Sequence, residues 1–130
     1  MARVSDRRRR LGALGERIAC DHLAARGFEL LERNFRTRYG EIDVVASNRG
    51  FLVFCEVKTR VTHGAPGPFG PLSAVGPRKR RQIRRIAGQW LAERAGERRA
   101  GATSIRFDAI GVTLNPAGRL LLLDHVENAF

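Results

Sequence analysis

The chain has 130 residues, 43% of them hydrophobic, which is enough for one domain with a core of its own. No apolar run approaches the ~20 residues of a membrane span, and the opening MARVSDRRRRLGALGE lacks the apolar stretch of a secretory signal, so a cytoplasmic protein without a membrane partner is expected. A net charge of +11 and a pI near 11.5 exclude a neutral or acidic surface and predict attraction to a polyanion, with nucleic acid foremost.

Residues 1–9 are basic and aperiodic, and read as a mobile arm ahead of a single domain over 10–130. The first ten residues hold five Arg and one Asp, a net of +4, so the rest still carries +7. Arg7–Arg10 suit a grip on DNA and plain solvation equally well. Residues 10–26 predict a helix ending at Gly27. Leu11, Leu14 and Ile18 share one side, with Ala19 and Leu23 at its border, and Glu16 falls at the rim, in line with Cys20 and Leu23.

Residues 28–37 predict a first strand with an irregular end. Strands over 41–47 and 51–59 follow, joined around the turn-type cluster SNRG. The segment 62–76, THGAPGPFGPLSAVG, is too rich in Gly and Pro for regular structure. Pro77 suits the first position of a second helix over 77–95, whose apolar stripe is Ile83, Ile86, Ala87, Trp90 and Leu91. Residues 96–103 read as a loop, and 104–114 and 119–130 supply the last strands around the turn NPAG. The order helix, three strands, helix, two strands implies an α/β fold, a small mixed sheet with helices packed on it.

The hairpin GEIDVVASNRGFLVFCEVKTR places Glu41, Asp43, Glu56 and Lys58 among apolar residues, where a charge is costly unless paired. Alternation puts Glu56 and Lys58 on one face of their strand, and Glu41 and Asp43 on one face of theirs, opposite Ile42 and Val44. Without a bulge, partner numbers across the turn add to an odd sum, as in a pairing of Ala46 with Phe51. All four charges then converge. Packed carboxylates raise one another's pKa unless a cation joins them. Mg²⁺ or Mn²⁺ fits, since Mg²⁺ takes oxygen ligands and uses one or two protein carboxylates. Asp43 and Glu56 are the candidate ligands and Glu16 a third. Lys58 would orient water or neutralise charge on phosphorus, and Glu41 either joins the site or pairs with an Arg. The bland alternative is a cross-strand ion network, and the acids' setting in apolar strands of a basic chain favours the metal site.

Of 24 basic residues only Lys58 and Lys79 are lysines. Where a compact ammonium on a flexible stem is needed, Arg is no substitute. Arg60, Lys79, Arg80, Arg81, Arg84 and Arg85 are candidates for tracking a phosphate backbone. Cys20 and Cys55 lie in neither a CxxC nor a zinc pattern and are expected as small buried residues. His22, His63 and His125 show no nucleophile pattern and read as structural or surface residues, and Trp90 reads as core.

GEIDVVA followed by FCEVKTR, after LGALGERIACDHLAARGFELLERNFR, closely resembles the YraN family of small bacterial proteins. That family is grouped with the PD-(D/E)xK nuclease superfamily, and archaeal Holliday junction resolvases resemble it among characterised members. The resemblance spans roughly residues 10–114 and implies a restriction-endonuclease-like core. It places the superfamily's metal-binding acid on Asp43, its second acid on Glu56, its lysine on Lys58 and the resolvase-like helical glutamate on Glu16. The motif's leading proline is absent, since Ile42 precedes Asp43. The activity implied is Mg²⁺- or Mn²⁺-dependent hydrolysis of DNA, of branched or flapped form, by a homodimer as is common for junction-cutting enzymes. The alternative is a nucleic-acid-binding or DNA-processing accessory protein on the same fold.

Overall fold

The computed structural model describes residues 4–48, 50–67, 76–94 and 104–130. The element order is α1 (Val4–Ala25), β1 (Glu29–Thr37), β2 (Gly40–Ser47), β3 (Phe51–Val61), α2 (Pro77–Glu93), β4 (Ser104–Leu114) and β5 (Leu120–Val126). This is the α/β order read from the sequence. The expected loop at 96–103, and 68–75 of the loop at 62–76, lie outside the described residues.

The helix begins six residues earlier than its apolar periodicity indicates. Residues 4–9, expected as an arm, form its first turns. Periodicity counts only apolar positions, whereas Arg is itself a strong helix former. Arg7 Nη2 donates to the Pro116 carbonyl at 2.8 Å, tying those turns to the β4–β5 connection. The far end closes as a Schellman motif: Phe28 N–H reaches the Leu23 carbonyl, Gly27 N–H reaches that of Ala24, and Gly27 takes φ +89°. The buried stripe is centred on Ala19, Cys20 and Leu23, while Leu11, Leu14 and Ile18 are only partly covered.

The sheet runs β1-β2-β3-β4-β5 in space. β3 and β4 are parallel and the other neighbours antiparallel. A parallel pair needs a crossover, and α2 supplies it. α2 covers one face through Ile83, Ile86, Ala87 and Trp90, packed on Phe35, Ile42, Val45, Phe54 and Phe107. α1 covers the other, over Val44, Ala46, Val53, Cys55, Ile110 and Val112.

Asn48 sets the β2–β3 register. Its Oδ1 accepts the N–H groups of Gly50 and Phe51, each at 2.9 Å, and its own N–H reaches the Phe51 carbonyl. Ala46 therefore pairs with Val53 rather than Phe51, two residues from the expected register. The sum stays odd, so the parity argument survives the shift. Strict alternation in β2 does not. Ile42 and Val45 both pack on the α2 side while Val44 packs on the α1 side. The β2–β3 ladder stops at Val44↔Cys55, and on β1 Asn34, level with Asp43, takes the left-handed conformation (φ 52°). The kink sits at Asp43.

α1 approaches β3 closely at Gly15, where a Cβ would lie 1.9 Å from Thr59 Oγ1 and 2.9 Å from its Cβ. Thr is β-branched and stiff, so Gly15→Ala is expected to destabilise by about 1–3 kcal/mol. A thermal melt checks this, and Thr59→Ala combined with it should recover part of the loss.

Candidate functional site

Asp43 lies at the kink, only 8% exposed. Its Oδ2 accepts the Val57 N–H at 2.7 Å, so a side chain takes over where the backbone ladder has ended. Its pKa is raised to about 6, first by burial and then by the charges of Glu16, Glu41 and Glu56, against the lowering effect of the Val57 hydrogen bond. Glu16 of α1, Glu41 of β2 and Glu56 of β3 thus each contribute to the field at Asp43.

The acids differ in what else holds them. Glu16 lies 3.9 Å from Arg33, and Glu41, largely exposed, pairs with Arg36 at 3.0 Å. Of the two roles open to Glu41, the structure therefore displays the pairing with an Arg. Glu56 points to the α2 side, where its Oε1 meets Lys79 Nζ at 3.1 Å. Its Oε2 is buried with no hydrogen-bond partner among the described residues. Lys58 is exposed and makes no salt bridge among them. In register it lies beside Gly111, which pairs with Asp124, another residue whose Oδ2 is buried and unpartnered. Asp124 carried no sequence signal, because its relation to Lys58 is made only by pairing across two strand gaps.

No three His, Cys, Asp or Glu side chains form a ready-made metal-ligand group among the described residues. The donor chemistry nonetheless suits a hard cation. Mg²⁺ needs only one or two carboxylates, with waters completing the shell, and the orphaned Glu56 oxygen is an acceptor without a donor.

α2 divides the expected nucleic-acid contacts. Arg78, Lys79, Arg81 and Arg85 line an open groove together with Gln82 and Tyr39 of the β1–β2 turn. Arg85 and Arg38 lie over the Tyr39 ring at 4.8 and 4.9 Å, and Arg38 donates to its hydroxyl. Arg84 is instead spread over Phe107, with its Nη2 toward the Phe130 carbonyl. Arg80 is exposed and does not line the groove. Arg60 donates to Thr113 Oγ1 at 2.8 Å and to the Gly67 carbonyl, holding loop to sheet. Tyr39, missed in the sequence, had one signal: a lone aromatic beside Arg36 and Arg38 in a turn.

The histidines are structural or surface residues, as expected, though partners distant in the sequence left their contacts unread. Asp108, fully buried, accepts two bonds from Arg106, one from the Asn128 N–H and one from His125 Nε2. Burial pushes its pKa up, but these donors outweigh burial and hold it below the usual carboxylate range. His125 Nδ1 meets His22 Nε2 at 2.9 Å, pinning the end of α1 to β5. His63 is exposed. Cys20 and Cys55 are buried, and burial raises both thiol pKa values. Trp90 is core, with its indole N–H on Glu32. No helix among the described residues is long and apolar enough to cross a membrane.

A mixed sheet between two helices, carrying an acid cluster at a strand kink beside a cationic groove, defines a small α/β protein. The chain belongs to the uncharacterised protein family UPF0102, the YraN family, whose model matches residues 15–112. It is similar to a UPF0102 protein of Mycobacterium bovis (BCG Pasteur), 45% identical over 122 residues, covering 90% of this chain and 89% of the relative. A UPF0102 protein of Parafrankia sp. is 46% identical over 121 residues, covering 93% and 96%. One of Mycobacterium avium is 50% identical over 105 residues, covering 78% and 76%.

Two outcomes are expected. Asp43 has a folded pKa of about 6 against an ordinary value of 3.8, so it takes up a proton on folding between those values. Its contribution to stability is present below about pH 4 and lost as pH rises through 6. Asp43→Asn keeps the acceptor for Val57 without the charge. Relative to wild type it should gain stability across that window, by on the order of 1–3 kcal/mol at neutral pH, measured by denaturant melts at several pH values. Second, each lost phosphate contact lowers the salt slope of DNA binding by about 0.9. For a nucleic-acid backbone lying in this groove, Arg81→Ala with Arg85→Ala should therefore lower it by about twice that, and Arg84→Ala should leave it nearly unchanged.

Proposed function

We propose that the protein is a Mg²⁺- or Mn²⁺-dependent endonuclease that hydrolyses DNA phosphodiester bonds. The observation that carries this reading is the pairing of Asp43 and Glu56. Asp43 is buried and Glu56 half-buried on the adjacent strand, Glu56 contributes to the field at Asp43, and one oxygen of Glu56 has no hydrogen-bond partner among the described residues. A structural ion network has no use for an unsatisfied carboxylate oxygen, since leaving one buried costs about 1–3 kcal/mol or more.

In this reading Asp43 and Glu56 would hold the metal, with Glu16 a further candidate ligand. When bound, the cation would polarise the scissile phosphate and lower the pKa of the attacking water. Asp43, anchored by the Val57 N–H, keeps one oxygen fixed and the other available. Lys58, free at the strand's exposed face, can approach a phosphate oxygen as charge builds on phosphorus. The groove of Arg78, Lys79, Arg81 and Arg85 holds the nucleic-acid backbone beside Glu56. Branched or flapped DNA is the preferred substrate by resemblance, as is a homodimer.

The second reading is a nucleic-acid-binding accessory protein. The Lys79–Glu56 and Arg33–Glu16 pairs favour it, because each acid already has a cation. A cleavage assay over duplex, flap and junction DNA in Mn²⁺ separates the two. Wild type should cut, and Asp43→Ala and Glu56→Ala should each lose roughly a hundredfold or more. Equal trace cleavage by all three proteins would mark contamination and leave the binding module standing.

A further inference from the structure

Lys79 is one of two lysines among 24 basic residues, and it stands where two charge systems meet. Its ammonium lies 3.1 Å from Glu56 Oε1. The same side chain lines the groove formed by Arg78, Arg81, Arg85 and Tyr39. The pair is partly open to water, with the lysine side chain 44% exposed and the glutamate 25%. An ion pair that water reaches from the lysine side is weakly held, so this one can be exchanged. It is also lopsided, since Glu56 Oε2 is buried and takes no part in it. Lys79 sits in the first turn of α2 (Pro77–Glu93), on a flexible stem that an Arg would not match.

We propose that Lys79 is an exchangeable counter-ion that couples divalent-cation binding to nucleic-acid binding. This rests on the reading that Glu56 is a cation ligand. Without a cation, Lys79 neutralises Glu56 and screens it from metal. A dication on Glu56 and an ammonium about 3 Å from the same carboxylate repel one another strongly in a partly desolvated site. Lys79 must then leave, and the cationic groove offers it no carboxylate. A backbone phosphate lying there is the partner that Lys79 can take up. Each ligand thereby removes the other's competitor, and by linkage the two bind with positive cooperativity. Metal binding is therefore weaker in the absence of the polyanion and tightens when it arrives.

The test uses the full chain as wild type, Lys79→Met, Lys79→Gln and Glu56→Gln, each shown to be folded by its thermal melt. Mn²⁺ affinity without DNA is read from the spin-resonance signal of the free ion. Affinity for a short DNA duplex is read by fluorescence anisotropy with and without Mn²⁺ at matched ionic strength. Both Lys79 variants should bind Mn²⁺ about tenfold tighter than wild type, and Glu56→Gln should lose that binding. Mn²⁺ should tighten DNA binding by wild type about tenfold and that of the Lys79 variants far less. Lys79 variants that bind Mn²⁺ no tighter than wild type, while Glu56→Gln still abolishes binding, overturn the counter-ion role and leave the metal site intact. Tighter Mn²⁺ binding in the Lys79 variants without Mn²⁺-dependent DNA affinity in wild type overturns the coupling. Mn²⁺ binding unaffected by Glu56→Gln, or absent from both wild type and Lys79 variants, overturns the underlying metal site as well.

Discussion

The site depends on one hydrogen bond, from the Val57 N–H to the Asp43 carboxylate. β2 and β3 pair normally up to Val44↔Cys55 and then stop. A buried N–H left beyond that point would cost about as much as a lost hydrogen bond. Asp43 satisfies it with a side chain, which frees the end of β2 to kink while keeping its acid between the strands. The kink explains why Ile42 and Val45 both reach the α2-side core. It also explains why Asp43 lies close enough to Glu16 and Glu56 to feel both. The same bond lowers the pKa of a group that burial and its neighbours raise, so Asp43 is poised rather than simply neutralised.

Charge is distributed unevenly over this basic chain. Most arginines near the site are already committed: Arg33 to Glu16, Arg36 to Glu41, Arg84 to Phe107 and Arg60 to Thr113 and the loop. Both lysines lie around Glu56, Lys58 two residues along the strand and Lys79 across from it on α2. A planar guanidinium forms bidentate, stacked and persistent contacts, whereas an ammonium on a flexible stem changes partners easily. Arg builds the frame, and the two Lys stand at Glu56 with one paired to it and the other exposed.

Across β3 from Asp43, on β4, where Asp108 is level with Cys55 and Cys55 with Val44, the opposite principle holds. Asp108 is fully buried, yet every nearby donor is aimed at it, from Arg106, His125 and Asn128. Its pKa is lowered, while that of Asp43 is raised. Two buried aspartates on one sheet thus differ in how many donors face them. Asp108 pins β4, β5 and, through His125 and His22, the end of α1. Asp43 has the single Val57 N–H and the charges of Glu16, Glu41 and Glu56 in its field.

The fold was legible in the sequence almost throughout. Hydrophobic period, Gly27 after α1, Pro77 at the start of α2 and the SNRG and NPAG turns are local signals, and each marks an element where it stands. The odd-sum parity of the β2–β3 hairpin was equally local, and it holds despite a register shift of two. What could not be read locally was decided by tertiary contacts. The strand alternation breaks at Asp43 because the pairing with β3 ends there, and no residue type announces the end of a ladder. Asp108 and His125 join 17 positions apart, and His22 joins His125 from 103 away, so neither link leaves a spacing to detect. The sequence by itself determined which residues are acids, where they recur and that they sit in strands, since composition and period are properties of neighbours along the chain. Only the tertiary structure decided that Glu56 meets Lys79 and keeps one oxygen unsatisfied, because that outcome depends on how α2 docks across β3, and docking is set by packing between distant segments.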